Sequence, residues 1–195
     1  LIKEAEGLIK DGIFDYVELM VIPGTDITPF QAVKVPYIIH IPYERFGLNM
    51  ADKENEKINL DIIDENIKWA NSLSAEYLIL HPGSLGEMDT VKRNLEKLND
   101  NRILIENMPK DGIGGEKMIG FTPDQIKELM GKKFGFCLDF GHAIKAAFNI
   151  GTDYKQYIQE FLKLNPKVFH ISDGKIGSGK DEHMNIGDGE YDFKF

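Results

Sequence analysis

The feature that most constrains this chain is a recurring unit. A short apolar run stops at a histidine, aspartate or glutamate, and a helical segment then leads to the next run. Tyr37 to Ile41 carries His40 near its end, and Tyr77 to Leu80 runs straight into His81. Ile103 to Ile105 stops at Glu106, Phe134 to Leu138 stops at Asp139, and Val168 to Ile171 carries His170. Phe14 to Ile22 is the first such run; it is stopped by Pro23-Gly24 and ends without a histidine, with Glu18 inside it. Apolar runs of this length read as buried strands.

Between the runs lie helical signals. Leu1 to Asp11 places Leu1, Ala5, Leu8 and Ile9 on one face and ends at Gly12. Thr28-Pro29 opens at most a few turns. Asn55 to Leu73 follows the helical period through Ile58, Ile62, Ile63, Ile67, Ala70 and Leu73. Met88 to Leu98 is the next helix, and Thr122-Pro123-Asp124-Gln125 has the marks of another helix start, closing near Gly131. After the Asp139 run, Thr152 to Leu164 reads as a helix. A Gly-rich loop spans Asp111 to Gly115, and a last loop holds Asp181-Glu182-His183 and Gly187-Asp188-Gly189.

Strands alternating with helices predict an α/β fold with a parallel sheet covered by helices. Residues 1–195 read as one domain, with no linker, repeat or low-complexity segment. The rival architectures are a (β/α)8 TIM barrel lacking its first and last strands and a doubly wound open sheet. The barrel is favoured, because polar ligands follow nearly every strand and a barrel gathers all strand ends around one axis. A first residue Leu1 in place of methionine, with six strands where eight close a barrel, gives the expectation of a longer polypeptide. A protein ending at Phe195 is then expected to be poorly soluble and to hold one of its metals weakly.

Composition narrows the function classes. Hydrophobic residues are 42% and charged ones 28%, as in a globular protein. No apolar run approaches the roughly 18 residues of a membrane span, and no secretory signal opens the chain. The single cysteine, Cys137, lies inside an apolar run, so a buried structural thiol and a cytoplasmic setting are expected. A net charge of −9 argues against a broad basic surface for nucleic acid, although bound divalent ions add local positive charge.

Eight residues are candidate metal ligands: His40, His81, Glu106, Asp139, His142, His170, Asp181 and His183. They include all five histidines. Each has an ordinary reading when taken alone. A histidine at a strand end is commonly a hydrogen-bonded core residue, Asp139 can be a helix N-cap, His81-Pro82-Gly83 a turn, and Asp181-Glu182-His183 a charged loop. Together, at the C-terminal mouth of a barrel, they point to a metal cluster. Imidazoles mixed with carboxylates suit zinc, with manganese or iron as alternatives, and eight ligands exceed the need of one ion, so two or three are expected. Gly187-Asp188-Gly189 is too short for a dinucleotide fingerprint, and no Gly-x-Ser-x-Gly elbow is present.

At these residues the chain resembles the endonuclease IV family, zinc-dependent apurinic/apyrimidinic endonucleases among the xylose-isomerase-like barrels. The matching pieces are His40-Ile41-Pro42-Tyr43, His81-Pro82-Gly83-Ser84, Glu106-Asn107, Leu138-Asp139-Phe140-Gly141-His142, His170-Ile171-Ser172-Asp173-Gly174-Lys175 and the run from Asp181 to Gly189, in the family's order. The resemblance implies three zinc ions. His40, His81 and Glu106 would hold the first; Glu106, Asp139 and His170 the second; His142, Asp181 and His183 the third. It also implies a monomer that cleaves double-stranded DNA 5′ to abasic sites, with Glu106 and Asp139 catalytic and Tyr43 and Lys175 on the substrate. Lys110 and Arg45 are further candidates for phosphate contact. Three family features are absent here: an arginine after the strand ending at Ile22, the first strand with its loop, and a final glutamate from the eighth strand, so eight of the nine ligands the resemblance implies are present. The alternatives are a sugar isomerase or epimerase with one or two metals, marked by a closed apolar pocket, and a barrel that binds a metal without turnover.

Overall fold

A computed structural model describes residues 1–194. Six strands, β1 Val17–Met20, β2 Tyr37–His40, β3 Leu78–Leu80, β4 Ile103–Glu106, β5 Gly135–Asp139 and β6 Val168–His170, pair in parallel in the order of the chain. A doubly wound sheet reverses its strand order at a switch point; this sheet does not. It also curls on itself, because Glu18 on β1 at one edge stands 3.1 Å from His170 on β6 at the other. The architecture is that of a TIM barrel wall.

Strand alternation explains both the core and the mouth. Residues two apart share a face. Tyr37, Ile39, Leu78, Leu80, Ile103, Ile105, Phe136 and Leu138 point outward into one large cluster with the helices. The intervening Ile38, Ile79, Leu104, Cys137 and Val168 point inward and pack together as the barrel's floor. Two residues beyond each floor residue stand His40, His81, Glu106, Asp139 and His170. The same alternation that buries the floor therefore lifts five polar side chains to one mouth. On β1, Val17 and Leu19 pack outward, which turns Glu18 inward.

The helices are α1 Ile2–Lys10, α2 Thr28–Gln31, α3 Glu56–Leu73, α4 Met88–Glu96, α5 Pro123–Met130, α6 Phe140–Ile150 and α7 Tyr154–Leu162. α3 buries Asn59, Ile63, Asn66, Trp69 and Ala70; of the expected stripe, Ile62, Ile67 and Leu73 are half-buried and Ile58 is exposed. α5 starts as expected: Thr122 Oγ1 accepts the Gln125 N–H at 3.2 Å. The Gln125 side chain reaches back past the cap, to the N–H groups of Gly120 and Phe121 at 3.0 and 3.1 Å. Among the described residues no helix is long and apolar enough to cross a membrane.

Two expectations are corrected. The first strand is only Val17–Met20, because its flanks at Phe14 and Ile22 are exposed and unpaired with β2. The segment after Asp139 is the eleven-residue helix α6, where no helix was expected before Thr152. Residues Gly141 to Ala147 of α6 are all buried, so it lacks the polar face that gives a surface helix its period.

Candidate metal centre

Glu106 is the hub. Its side chain is 1% exposed, and its two oxygens divide between two sets of histidines. Oε2 stands 2.9 Å from His81 Nε2 and 3.5 Å from His40 Nε2. Oε1 stands 3.0 Å from His170 Nδ1 and 3.5 Å from His142 Nδ1. Asp139 Oδ2 approaches the same His170 nitrogen at 3.8 Å. On the far side, Asp181 Oδ2 lies 3.3 Å from His142 Nε2 and 2.8 Å from His183 Nε2. All eight sequence candidates are thus brought together around one mouth.

Asp139 serves two purposes. Its Oδ1 accepts the His142 N–H at 2.7 Å and caps α6. The cap fixes the first turn of α6, which is what aims His142 into the site. Asn107 locks the same corner: its amide donates to Asp139 O at 2.9 Å and accepts the Asp139 N–H at 2.8 Å.

The loop carrying Asp181 and His183 is held from below. Asp173 accepts backbone N–H groups from Gly174, Gly187, Gly189 and Tyr191 at 2.8 to 3.1 Å. The Gly187-Asp188-Gly189 stretch therefore wraps the chain's own carboxylate. Lys145, fully buried on α6, donates to Glu182 Oε2 and to Lys175 O at 2.7 Å each. Glu182 sits between Asp181 and His183, so this ion pair ties the loop to the helix that carries His142.

The donor set fits a divalent ion. His40 commits Nδ1 to Ile41 O at 2.9 Å, and His142 commits Nδ1 to Asn107 O at 2.8 Å. Each then presents a bare Nε2 to a carboxylate oxygen, lone pair against lone pair, unless a cation or proton lies between. Glu106 Oε2 and His81 Nδ1 are buried without a hydrogen-bond partner, a cost that native proteins rarely leave uncompensated. His40, His81 and Glu106 form one group whose ligand atoms lie within 4.8 Å of one another, and Asp139, His142 and His183 form a second.

Electrostatics say the same. Burial would raise the Glu106 carboxyl, but the charges of His81 and His170 outweigh it and hold it well below the carboxylate range. Burial keeps Asp139 raised against the pull of His142. Burial disfavours an imidazolium at His142, yet Asp139 and Asp181 lift it to about 10. Burial alone would raise Asp181 as well, yet hydrogen bonds from His142 and His183 hold it far below its usual range. Protons here occupy places that a cation can take. Cys137, beneath the cluster, is pushed up to about 12 by burial and stays a thiol, as a structural cysteine would.

Comparison with known proteins agrees with this geometry. The family model described as Xylose isomerase-like TIM barrel matches residues 30–195. The "Probable endonuclease 4" of Mycoplasmopsis synoviae is 32% identical over 89% of this chain and 68% of its own length. The protein of the same name in Mycoplasmopsis agalactiae is 34% identical over 78% of this chain. The chain belongs to the endonuclease IV family of xylose isomerase-like TIM barrels. It spans 59% of the length of the second relative. Among solved structures, a D-tagatose 3-epimerase-like protein superposes with a TM-score of 0.75 at 21% identity, covering 96% of this chain and 77% of that one. Endonuclease IV from Thermus thermophilus superposes with 0.71 at 20%, covering 96% and 78%. At that identity both show the fold alone.

Residues of the endonuclease IV motifs line part of an open cavity of about 720 Å³. Tyr43 lines it, its ring stacked on His81 at 5.4 Å. Lys175 lies outside the lining, with its backbone N–H on Glu182. Lys110 donates to Asn149 O at 3.3 Å, and the Arg45 guanidinium sits 6.0 Å from the Phe46 ring. Among the described residues the lining holds no lysine or arginine. Met20, Met108, Met118, Ile113 and Phe169 form its apolar walls. Sequence reasoning missed one member, Glu18, which lines the cavity and touches His170. Inward alternation on β1 was the signal that could have found it.

Proposed function

We propose that this chain carries the centre of a zinc-dependent phosphodiesterase that cleaves DNA 5′ to abasic sites, as one barrel domain. The observation that carries this reading is the Glu106 carboxylate, divided between the His40–His81 pair and His170 in the order of the endonuclease IV motifs. The relatives named "Probable endonuclease 4" support it. In this reading His40, His81 and Glu106 hold one ion, Glu106, Asp139 and His170 a second, and His142, Asp181 and His183 a third. Bound zinc supplies Lewis-acid polarisation and lowers the pKa of water to about 7.

The residues of this chain set where that chemistry occurs. Glu106 fixes the spacing between two ligand sets because one rigid carboxylate serves both. The His142–Asn107 and His40–Ile41 hydrogen bonds keep each imidazole in the tautomer that offers Nε2. Tyr43, stacked on His81, presents an aromatic face at the rim for an exposed sugar or base. With no lysine or arginine in the lining among the described residues, phosphate attraction at the mouth falls to the bound ions.

The test is a labelled duplex with one abasic site, incubated with the zinc-loaded protein. Incision immediately 5′ to the site, abolished by a strong chelator and restored by zinc, is the expected result. An intact duplex at full metal loading contradicts the reading.

One observation favours a second reading. The lining has apolar walls, and its volume of about 720 Å³ falls within the range of small-molecule pockets. Those features suit a neutral sugar, and the epimerase-like neighbour shares the fold. Conversion of a ketose or aldose without incision would assign the chain to metal-dependent isomerisation or epimerisation.

A further inference from the structure

His170 differs from its neighbours in how its ring is held. His40 and His142 each give Nδ1 to a backbone carbonyl and turn Nε2 toward the cluster. His170 does the reverse. Its Nδ1 faces the cluster, 3.0 Å from Glu106 Oε1 and 3.8 Å from Asp139 Oδ2. Its Nε2 lies 3.1 Å from Glu18 Oε2.

A neutral imidazole carries one proton. An ion bound among Glu106, Asp139 and His170 needs the bare Nδ1, which leaves the proton on Nε2. The carboxylate placed to accept that proton is Glu18. The opposite arrangement is also conceivable on distance, since Glu18, His40 and His170 have ligand atoms within 4.8 Å of one another. It would put the ion on Nε2 and the proton on Nδ1, donated to Glu106 Oε1. Glu106 would then lose the oxygen with which it serves its second ligand set. The two arrangements exclude each other, and the divided Glu106 carboxylate favours the first.

Fold geometry places Glu18 for this role. It lies on the inward face of β1, paired with Ile38 of the barrel floor and not with the ligand-bearing His40. Its backbone therefore sits one layer below the ligand-bearing residues, and its side chain reaches across to β6, 152 residues away in the chain.

We propose that Glu18 is a positioning residue that holds His170 with Nε2–H on its carboxylate and Nδ1 free for the ion shared with Glu106 and Asp139. This rests on the metal reading above. A carboxylate on the distal N–H orients the ring and makes the coordinating nitrogen more basic, and loss of such a partner typically weakens metal binding ~10–100-fold. Glu18 is thus a determinant of affinity at one ion of the cluster only.

Two measurements test it. Protein labelled with 15N and loaded with 113Cd reports which His170 nitrogen binds the ion, through the metal–nitrogen coupling. Coupling at Nδ1 with the proton on Nε2 is expected; coupling at Nε2 overturns the proposal and makes Glu18 a ligand. Second, zinc titrations against a chromophoric chelator compare the unaltered protein with Glu18→Ala and Glu18→Gln. One ion should weaken by ~10–100-fold in Glu18→Ala with the others unchanged, and Glu18→Gln, which keeps an oxygen acceptor, should fall between. Unchanged affinity for every ion in Glu18→Ala overturns the proposal while leaving the metal reading intact. An unaltered protein that binds neither zinc nor cadmium overturns both.

Discussion

Glu106 is where a single substitution says most. Replacing it by glutamine keeps the shape but removes the charge that faces His40, His81 and His170. A neutral amide is a poor ligand and cannot serve two ions. Glu106→Gln should lose at least one bound zinc and lower turnover by more than ~100-fold, with the circular dichroism spectrum unchanged. Turnover retained at full metal content would show that Glu106 is not shared.

The histidines give a pH signature at the same scale. His142 is raised to about 10 by Asp139 and Asp181 once burial is overcome, and His170 is raised as well. A group whose folded pKa exceeds its unfolded value, about 6.5 for histidine, adds stability that is fully present below that value. That stability is lost as pH rises through the folded pKa. The chelator-treated protein should therefore lose thermal stability between pH 6.5 and about 10. The zinc-loaded protein should not, because its imidazoles are already deprotonated. Melting temperatures across that range, with and without chelator, check this; parallel curves would contradict it.

Among the elements, α6 shows what was legible in the sequence and what was hidden. α3 was readable because Ile63 and Ala70, with the half-buried Ile67, recur at the helical period against a solvated face. Strands β2 to β6 were readable because each is a single apolar run. α6 is buried on nearly every side from Gly141 to Ala147, so no polar face marked its period. The run Gly135–Asp139 is a strand, as read, but the helix that starts directly after it at Phe140 was not legible. The candidate ligands were legible because strand alternation needs no long-range knowledge. For Glu18 the same alternation on β1 marks an inward side chain, but its contact with His170, 152 residues distant, is not written in any local pattern.

Lys145 belongs to this scale, because it joins two elements. It is fully buried, and its ion pair with Glu182 fastens the Asp181–His183 loop to α6. Lys145→Met leaves Glu182 without its partner; since the Glu182 side chain is 25% exposed and can rehydrate, the expected cost is about 2–3 kcal/mol, below the ~3–5 of a fully buried pair. Urea unfolding measures it. Zinc held by His142, Asp181 and His183 should weaken in parallel. The double variant Lys145→Met with Glu182→Gln should recover much of the stability, because no charge is then left without a partner.

At the scale of the whole molecule the charge distribution is the constraint. The chain carries −9, and its cavity is lined by acids without a lysine or arginine among the described residues. Such a mouth repels phosphate until cations occupy it. Affinity for duplex DNA should therefore be negligible in chelator and appear with zinc, as read by fluorescence anisotropy of a labelled abasic duplex at fixed salt. Equal binding in both states would place DNA contact elsewhere on the surface.

The account stands on eight side chains converging as a multinuclear metal centre. Elemental analysis of protein purified without added metal tests that most directly. Two or three zinc ions per chain is the predicted result. One ion, or none, would contradict it.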